Sequence, residues 1–498
     1  MATTQESQGA QLSRRSFLGA GAATTLGLAL QGTLAPVARA SGVDHGSANG
    51  AVGGFDGYGP LRPDPAGRLS LPNGFHYTVV AESGVTTLDS GEPTPDHIDG
   101  AVSFTRPGGD GYCLVTNHEI RAVGTFTHGV PHLPGLSYDP GVNGGTTTIE
   151  IDADGNRVRE YVSLAGTSTN CAGGRTPWGT WLTCEENVAP AGRTKPHGFV
   201  FEVDPYDMSA NLDPQPISAL GRFEHEAVAV DPDTGQIYET EDAGDPHGLF
   251  YRWTPPASAL PLGKGSLRAL GPDDGAIEAM RARTATGEIV TDLSVVTEPG
   301  STYAVEWVSV PQRDGSPLVR RQFNGFWGNV DHPSQEGGPI TRSQKLEGAW
   351  WGDGGAYFVA SFARRATMSA AEHDGQVWFY DPLAETITLR LRFAYTPSDN
   401  DGDPDGPDNI AVSPYGGVIL AEDGQGRQHL VAATESGHTF FLARSEINGG
   451  VGELAGPNFS PDKRFLFANL FNPGYVFAIS GPWKRQGGGG PPATASAG

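Results

Sequence analysis

The sequence predicts an all-β fold, a six-bladed β-propeller with an insertion between its third and fourth repeats. The first observation behind this prediction is composition. The 498 residues include 71 Gly and 39 Pro, and only 18% are charged, which is typical of many short strands joined by tight turns. The second is a unit that recurs six times along the chain. The blades of a propeller close into one body, so a chain of this length need not divide into several domains.

Each repeat has the same order of features. An acidic, amide or thiol residue leads into a short apolar strand, a Gly/Asp/Pro turn, a second apolar strand and another polar cluster, with aromatic-rich outer strands following. This order favours a propeller over a sandwich. The interval between the third and fourth repeats is the longest, so residues 256–344 are predicted to contain an insertion over one face. The six repeats open at His97 and Asp99, Asn170 and Cys171, Glu224 and Glu226, Glu347, Asp408 and Asn409, and Asn458.

These opening residues are predicted to converge, because the inner strand of every blade runs along the central channel and begins on one face. Carboxylates gathered in a polar channel repel one another unless a cation neutralises them, so the pattern predicts a metal site. Cys171 lies in a polar turn and fits a ligand, whereas Cys113 and Cys184 lie in apolar runs typical of core thiols. A hydrated polar channel without metal is the alternative.

A second acidic segment spans residues 399–406. It opens like a calcium loop at Asp401, but Val412 stands at the twelfth position, where an EF-hand requires a bidentate glutamate. Two interpretations stay open, an acidic surface loop and a calcium-binding loop beside Asp408.

The N-terminus predicts export. Ser13–Leu18 contains an arginine pair and is followed by an Ala/Gly-rich apolar run and Ala38-Arg39-Ala40, the order of a twin-arginine signal with its cleavage site. We therefore expect a signal peptide at 1–40, a flexible linker at 41–60, the propeller at 61–485 and a disordered tail at 486–498. The twin-arginine machinery would deliver the protein to the periplasm, the cell surface or the medium.

The net charge and the hydropathy of the chain limit the classes of partner that the protein is expected to bind. The net charge of −24 argues against nucleic acid, because phosphate backbones bind basic surfaces. No segment beyond the N-terminus is long and apolar enough for stable membrane insertion. The expected state is a monomer that acts on a small molecule.

Several ordered blocks resemble the PhoX alkaline phosphatase family across residues 55–485. The blocks are the twin-arginine signal, TNCAGG with TWLTCEEN, FEHEAVAVDPDTGQIYETED, LEGAWW with GGAYFVASF, and PDNIAVSPYGGVILAEDG. The resemblance implies an exported six-bladed propeller that hydrolyses phosphomonoesters at a central cluster of iron and calcium.

The resemblance also implies a set of ligands. Thiolate and carboxylates suit Fe³⁺, whereas carboxylate and amide oxygens suit Ca²⁺. Cys171 would be the iron-binding thiolate, and Asp408 and Asn409 would lie on the calcium side. The remaining implied ligands are Glu186 or, less favoured, Glu185, then Glu226, Glu347, and either Glu422 or Asp423.

One position departs from the family pattern. The phosphatases place an arginine two residues before the fourth-blade glutamate, and this chain has Lys345 there. Lysine keeps the charge but loses the bidentate fork, so substrate affinity could be weaker or the substrate different.

The predicted reaction is metal-dependent hydrolysis of a phosphate ester, with Lys345 holding non-bridging oxygens. His118 and His225 are candidate proton donors to the leaving group, or residues that orient a ligand. Neither a G-x-S-x-G elbow nor an H-E-x-x-H motif occurs, which disfavours serine-hydrolase and zincin chemistry. The alternatives are a calcium-dependent phosphodiesterase or lactonase, and a non-catalytic binding propeller stabilised by calcium.

Overall fold

A computed structural model describes residues 57–121, 126–243, 247–310, 313, 340–363, 371–396 and 402–484. The predicted signal peptide, nearly all of the predicted linker and the predicted tail lie outside these residues. Among the described residues no helix is long and apolar enough to cross a membrane. Regular structure there consists of β-strands and six short 3₁₀ turns, at Met208–Asn211, Ser218–Leu220, Ala257–Ala259, Leu267–Ala269, Leu293–Val295 and Ile447–Gly450.

The strands fall into antiparallel groups that follow one another along the chain. Three strands precede the first group, namely β1 (Leu61–Arg62), β2 (Leu69–Pro72) and β3 (His76–Glu82). The first group is β4 (Ile98–Thr105), β5 (Tyr112–His118), β6 (Gly144–Ile151) and β7 (Arg157–Thr167). The second group is β8 (Asn170–Arg175), β9 (Trp181–Glu185) and β10 (Val200–Val203).

The third and fourth groups share one eleven-stranded sheet. The third group contains β11 (His225–Val230), β12 (Ile237–Glu241), β13 (Gly248–Thr254) and β14 (Ala276–Arg283), with β15 (Ile289–Val290) paired to β14. The connecting strand β16 (Thr302–Ser309) pairs with both β14 and β21, and β17 (Arg342–Ser343) pairs with β13. The fourth group contains β18 (Leu346–Gly352), β19 (Gly355–Ala360), β20 (His373–Asp381) and β21 (Thr386–Ala394). The described part of the predicted insertion therefore extends this sheet.

The last two groups incorporate the N-terminal strands. The fifth contains β22 (Pro407–Val412), β23 (Val418–Glu422), β24 (His429–Ala433) and β25 (Thr439–Ser445), and β2 and β1 add to its outer side. The sixth contains β26 (Leu454–Phe459), β27 (Phe465–Leu470) and β28 (Tyr475–Ser480), and β3 pairs with β28. Because β3 comes from the start of the chain, this pairing ties the two ends of the fold together.

The first strands of these groups pack side by side in the cyclic order β4, β8, β11, β18, β22, β26 and back to β4. The all-β prediction is confirmed, and the arrangement is propeller-like. Apolar side chains fill the spaces between neighbouring groups. One example is the stacked pair Phe250 and Phe358, whose ring centroids lie 4.2 Å apart. Cys113 and Cys184 are buried among such residues.

All six inner strands carry a register shift at the same place, where two residues face one on the partner strand. A β-bulge of this kind bends the strand and redirects a side chain. The residues in the shift are Asp99-Gly100, Cys171-Ala172, Glu226-Ala227, Glu347-Gly348, Asp408-Asn409 and Gly456-Pro457.

The second bulge residue is small in most repeats because the inner strands pack closely. A Cβ at Gly100 would lie 2.6 Å from the Cys171 carbonyl oxygen, and one at Gly348 would lie 2.8 Å from that of Asp408. Side chains there would push neighbouring inner strands apart. Glycine at these two positions thus keeps the ring of bulges narrow.

Candidate metal centre

The first residues of the six bulges form a ring around the axis, here called the axial ring. Its members are Asp99, Cys171, Glu226, Glu347, Asp408 and Gly456. Five of the six positions carry a side chain that can bind a metal. The sequence assigned these five positions correctly to the repeats, but the sixth is Gly456. The predicted Asn458 instead accepts a hydrogen bond from the Ser103 amide at 2.9 Å and donates one to the Gly456 carbonyl at 3.0 Å.

Backbone conformation just before the inner strands helps to place the axial ring. His97, Thr169 and Lys345 immediately precede β4, β8 and β18, and all three have left-handed φ angles of 54°, 54° and 43°. Such φ values are uncommon for residues other than glycine and are kept where the surrounding structure fixes them. The same turn therefore enters the centre in at least three repeats.

Carboxylates of the axial ring come close to one another. Glu226, Glu347 and Asp408 can each offer an oxygen within 4.8 Å of the other two, and so can Asp408, Asp423 and Glu453. Asp408 belongs to both sets and links them. Asp99 is also buried, and its Oδ1 has no hydrogen-bond partner among the described residues.

A second set of acidic residues lies around the axial ring on the side where the inner strands begin, and is here called the rim. Most of its members directly follow the second strand of a group. Partial exposure of several of them indicates that this side faces solvent. The rim consists of Glu119 after β5, Glu186 after β9, Asp242 after β12, Asp423 after β23, and Glu453 just before β26.

Two basic side chains neutralise part of this charge. Arg121 donates from Nε to Glu119 Oε1 at 2.8 Å and from Nη2 to both Glu119 and Glu186, the latter at 2.9 Å. Lys345 Nζ donates to Asp242 Oδ2 at 2.9 Å and to Glu347 Oε1 at 2.5 Å. Each cation therefore joins carboxylates from two different groups of strands.

Among the described residues of this centre, acidic side chains outnumber basic ones, and the pKa values of the acidic groups reflect this. Burial and the nearby Asp242 raise the pKa of Glu347 to about 7. Burial and neighbouring carboxylates also raise the pKa values of Asp99, Glu226, Asp408 and Glu453 well above the usual range. Without a cation some of these groups would hold protons near neutral pH, because several charges cannot share so small a volume.

The other end of the channel is nearly closed. A cavity of about 20 Å³ lies between the inner strands and is bounded by Trp181 and Trp350 together with small residues such as Gly100 and Gly348. This is room for about one water molecule. The axial ring is therefore accessible mainly from the rim side.

Two predicted ligands, Glu185 and Glu422, have other partners. Glu185 accepts hydrogen bonds from the amides of Ser168, Gly198 and Phe199 at 2.9, 2.8 and 3.1 Å, and contacts His197 Nδ1 at 2.6 Å. These four donors occupy both carboxylate oxygens. The structure therefore brings Glu186, not Glu185, to the rim.

Glu422 has a similar role in the fifth group. Its Oε1 accepts from the Asp405 amide at 3.1 Å, and its Oε2 meets the His429 amide at 2.8 Å and Nδ1 at 2.9 Å. Of the predicted pair, Asp423 is the residue that joins the central carboxylates.

The predicted proton donors are also occupied. His118 Nδ1 lies 3.0 Å from the Asp96 carbonyl and Nε2 lies 3.0 Å from Thr147 Oγ1. His225 Nε2 lies 3.0 Å from Glu239 Oε2, and its ring stacks on Phe223. Both rings are fully buried. Their contacts favour the alternative role of orienting neighbouring groups.

Cys171 lies on the axial ring, and its sulfur faces backbone. Sγ is 3.3 Å from the His225 carbonyl oxygen and 3.4 Å from that of Glu226. Burial, together with the charges of Glu226 and Glu186, raises the pKa of the thiol well above its ordinary value. A bound cation would favour the thiolate, since metal ligation deprotonates a thiol.

Asn409 follows Asp408 in the bulge and orients it. Its Nδ2 donates to Asp408 Oδ1 at 2.8 Å, while its Oδ1 accepts from the Gly456 amide at 2.7 Å. The amide therefore links the fifth inner strand to the sixth. The acidic segment at 399–406 lies only partly within the described residues, from Gly402 onward.

The donor set fits a metal cluster. Carboxylates whose oxygens can lie within 4.8 Å of one another are typical of sites for hard cations such as Ca²⁺. A thiol on the same ring adds a donor that suits a transition metal. Sequence analysis missed Glu119, Asp242, Glu453 and Arg121. Asp242 is detectable, because it follows its strand just as Glu186 and Asp423 follow theirs.

Fold and site together define a propeller-like, all-β protein with a buried acidic centre open to one face. The family model for alkaline phosphatase PhoX matches residues 56–159 and 152–474, so the chain belongs to the PhoX family. None of the curated proteins compared with the chain matches it.

Three solved structures that resemble the chain have low sequence identity to it. The holo form of a pyranose dehydrogenase PQQ domain from Coprinopsis cinerea is 11% identical, covers 84% of this chain and 98% of its own, and has a TM-score of 0.39. The gluconolactonase XC5397 from Xanthomonas campestris is 13% identical, with 78% and 97% covered and a TM-score of 0.31. A glucose dehydrogenase is 11% identical, with 82% and 100% covered and a TM-score of 0.38.

Proposed function

We propose that this protein is a metal-dependent phosphatase that hydrolyses phosphomonoesters at the axial ring and rim. The observation that carries the proposal is the convergence of Glu226, Glu347, Asp408, Asp423 and Glu453 into two overlapping three-carboxylate groups in a chain of the PhoX family. Acidic residues alone would repel an anionic substrate. Bound cations make the same centre attractive to phosphate.

The cofactors proposed are Ca²⁺ and Fe³⁺. The overlapping carboxylate groups would hold calcium, with Asn409 fixing the orientation of Asp408. Cys171 with Glu226 and Glu186 would hold iron, because the charges of these two carboxylates act on the buried thiol and Sγ lies 3.4 Å from the Glu226 carbonyl oxygen. When bound, the ions would supply positive charge that stabilises negative charge developing on the phosphoryl oxygens.

The protein's own residues would bind the substrate and exclude water. Lys345, held by Asp242 and Glu347, presents a point charge beside the axial ring. Inner strands close the far end of the channel, so the leaving group would stay on the rim side. With His118 and His225 engaged elsewhere, the leaving-group proton would come from a rim carboxyl or from solvent.

The finer architecture and location belong to the same proposal. The six groups of strands would be the blades of a six-bladed propeller within residues 61–485, with an insertion between the third and fourth. Residues 1–40 would be a twin-arginine signal, 41–60 a linker and 486–498 a tail. The mature protein would work as a monomer in the periplasm, on the cell surface or in the medium, on a small-molecule phosphate ester.

The test is hydrolysis of para-nitrophenyl phosphate by protein purified from an export-competent host, before and after chelation. We expect phosphate release that chelator abolishes and added Ca²⁺ with Fe³⁺ restores. Glu288→Gln is the matched control, since Glu288 is an exposed acid in the turn between β14 and β15 and belongs to neither three-carboxylate group, so its loss should leave activity unchanged. Metal-replete protein that is inert toward monoesters but active on diesters or lactones would contradict the proposal.

A further inference from the structure

Arg121 is a basic residue at the rim of the candidate metal centre, and none of the sequence blocks that resemble the PhoX family includes it. It follows β5 by three residues and covers two acidic side chains. Its side chain is 41% exposed, while those of Glu119 and Glu186 beneath it are 4% and 12% exposed. The guanidinium therefore forms part of the solvent-facing surface of an otherwise buried acidic site.

The hydrogen bonds of Arg121 to the described residues leave some N–H donors of its guanidinium group available to a ligand. Its bonds to the described residues use Nε and Nη2, which hold Glu119 and Glu186. A guanidinium has five N–H donors, so the two on Nη1 remain for an incoming anion. The carboxylates fix the plane of the group in advance, which reduces the entropy lost when it binds a ligand.

The Lys345 side chain is less accessible to an incoming anion than the Arg121 side chain. Its side chain is 18% exposed, and Nζ is engaged by Asp242 and Glu347. The two cations lie on different parts of the rim, because Arg121 joins the first and second strand groups and Lys345 joins the third and fourth. A phosphoryl group that reaches the axial ring would pass between them.

We propose that Arg121 binds the phosphoryl oxygens of the substrate and supplies the guanidinium that the chain lacks at position 345. The inference rests on the proposed phosphatase function, since it assigns the substrate's charged group to this site. Phosphate would then be bound by two cations, the guanidinium of Arg121 with its several N–H donors and the ammonium group of Lys345. Arginine is better suited than lysine to hold two oxygens at once.

The test compares Arg121→Lys and Arg121→Ala with the wild type, using para-nitrophenyl phosphate as substrate and inorganic phosphate as competing ligand. We expect KM and the inhibition constant for phosphate to rise about tenfold in Arg121→Lys and about 100-fold in Arg121→Ala. In Arg121→Lys the metal content should not change and kcat should fall less than KM rises. Lys345→Arg in the Arg121→Lys background should recover part of the lost affinity.

The matched control is Arg106→Lys. Arg106 is also paired to a glutamate, with Nη2 2.8 Å from Glu150 Oε2, but it lies at the opposite end of the β4–β5 hairpin. Its replacement should leave KM and phosphate inhibition unchanged. An Arg121→Lys variant with wild-type KM and phosphate inhibition would overturn the inference, as would loss of metal from that variant, which would make the role structural.

The outcome for Arg121 can be separated from that of the proposed function. A wild-type protein that hydrolyses no phosphomonoester would contradict the phosphatase proposal. Equilibrium titration of the metal-loaded protein with inorganic phosphate would still decide the role of Arg121. Weaker binding by Arg121→Ala would support a phosphate-binding role, and equal binding would exclude it.

Discussion

Two adjacent acidic residues at the end of one strand have opposite surroundings. Glu185 is surrounded by amide donors and an imidazole, whereas Glu186 joins the rim and contacts Arg121. Glu422 and Asp423 repeat the contrast in the fifth group, because Glu422 is bound by the Asp405 and His429 amides and Asp423 lies with the central carboxylates. Successive side chains of a strand point to opposite faces, so neighbouring residues belong to different environments.

The third group follows the same rule. Glu241 Oε2 accepts from the Leu249 amide at 3.2 Å and the Tyr251 hydroxyl at 3.0 Å, and Asp242 contacts Lys345. We call Glu185, Glu241 and Glu422 the anchor glutamates, because each binds the start of the next strand or loop. Hydrogen-bond donors compensate the anchor carboxylates, whereas the cations Arg121 and Lys345 pair with acidic residues of the rim and axial ring. The difference teaches that the carboxylate-rich ends of these strands contain both structural positions and positions that face the shared acidic centre.

The strongest way to test this contrast is to remove an axial-ring charge. Asp408→Asn keeps the shape but removes a carboxylate shared by both three-carboxylate groups. We expect a loss of activity of at least about 100-fold, with no loss of stability in chelator because like charges no longer repel. Activity assays and thermal melts in chelator measure the two effects. Near-wild-type activity would remove Asp408 from the site.

The two buried cysteines of the second group provide a matched pair. Cys171 is on the axial ring, and Cys184 lies beside it in the apolar core. Cys171→Ser should remove iron, any ferric–thiolate absorption and activity, whereas Cys184→Ser should cost roughly 1–3 kcal/mol of stability only. Visible spectra, iron analysis and denaturant unfolding distinguish them. Full iron and activity in Cys171→Ser would disprove the thiolate ligand.

Replacement of an anchor glutamate should lower stability and leave metal binding unchanged, which is the reverse of the effect expected at the axial ring. In Glu422→Gln the NH2 group of the new side chain must face either the Asp405 amide or the His429 amide, so one donor opposes another. We expect the free energy of unfolding to fall by about 1–3 kcal/mol, while metal content and kcat of the folded protein stay near wild type. Urea unfolding and metal analysis check this. Loss of metal with unchanged stability would transfer Glu422 to the ligand set.

The smallest expected effect concerns pH. In metal-free protein the pKa of Glu347 is raised from 4.5 to about 7, so between these values the folded chain binds more protons than the unfolded chain. Its free energy of unfolding therefore falls as pH rises through this window. Metal-loaded protein should not lose this stability, because its carboxylates are already ionised. The difference in Tm between loaded and chelated protein should grow from pH 5 to pH 8, and a constant difference would contradict the account.

The fold and the axial ring could be predicted because their signals are local. Each repeat carries its own turn and its own leading residue, so Asp99, Cys171, Glu226, Glu347 and Asp408 could be assigned without knowing how blades pack. The axial-ring position of the sixth repeat could not be predicted in this way. Its bulge position holds Gly456, and its carboxylate comes from Glu453, which lies outside the repeating unit.

The rest of the site depends on features that a sequence does not display. To decide whether Glu185 or Glu186 faces the rim, one must know on which side of the sheet each side chain lies at the end of β9. The register of β9 with β10 determines this. Arg121 joins the site only because the first and second groups are neighbours. The occupation of His118 and His225 depends on carbonyls and side chains from distant segments, including Asp96, Thr147 and Glu239.

The most direct test of the central claim is the metal content of wild-type, Asp408→Asn and Glu422→Gln proteins purified in parallel from an export-competent host. We expect calcium and iron bound in fixed ratio to the wild type, retained by Glu422→Gln and depleted in Asp408→Asn. Wild-type protein without bound metal, or an Asp408→Asn protein that keeps the full complement, would show that the acidic centre does not bind the metals.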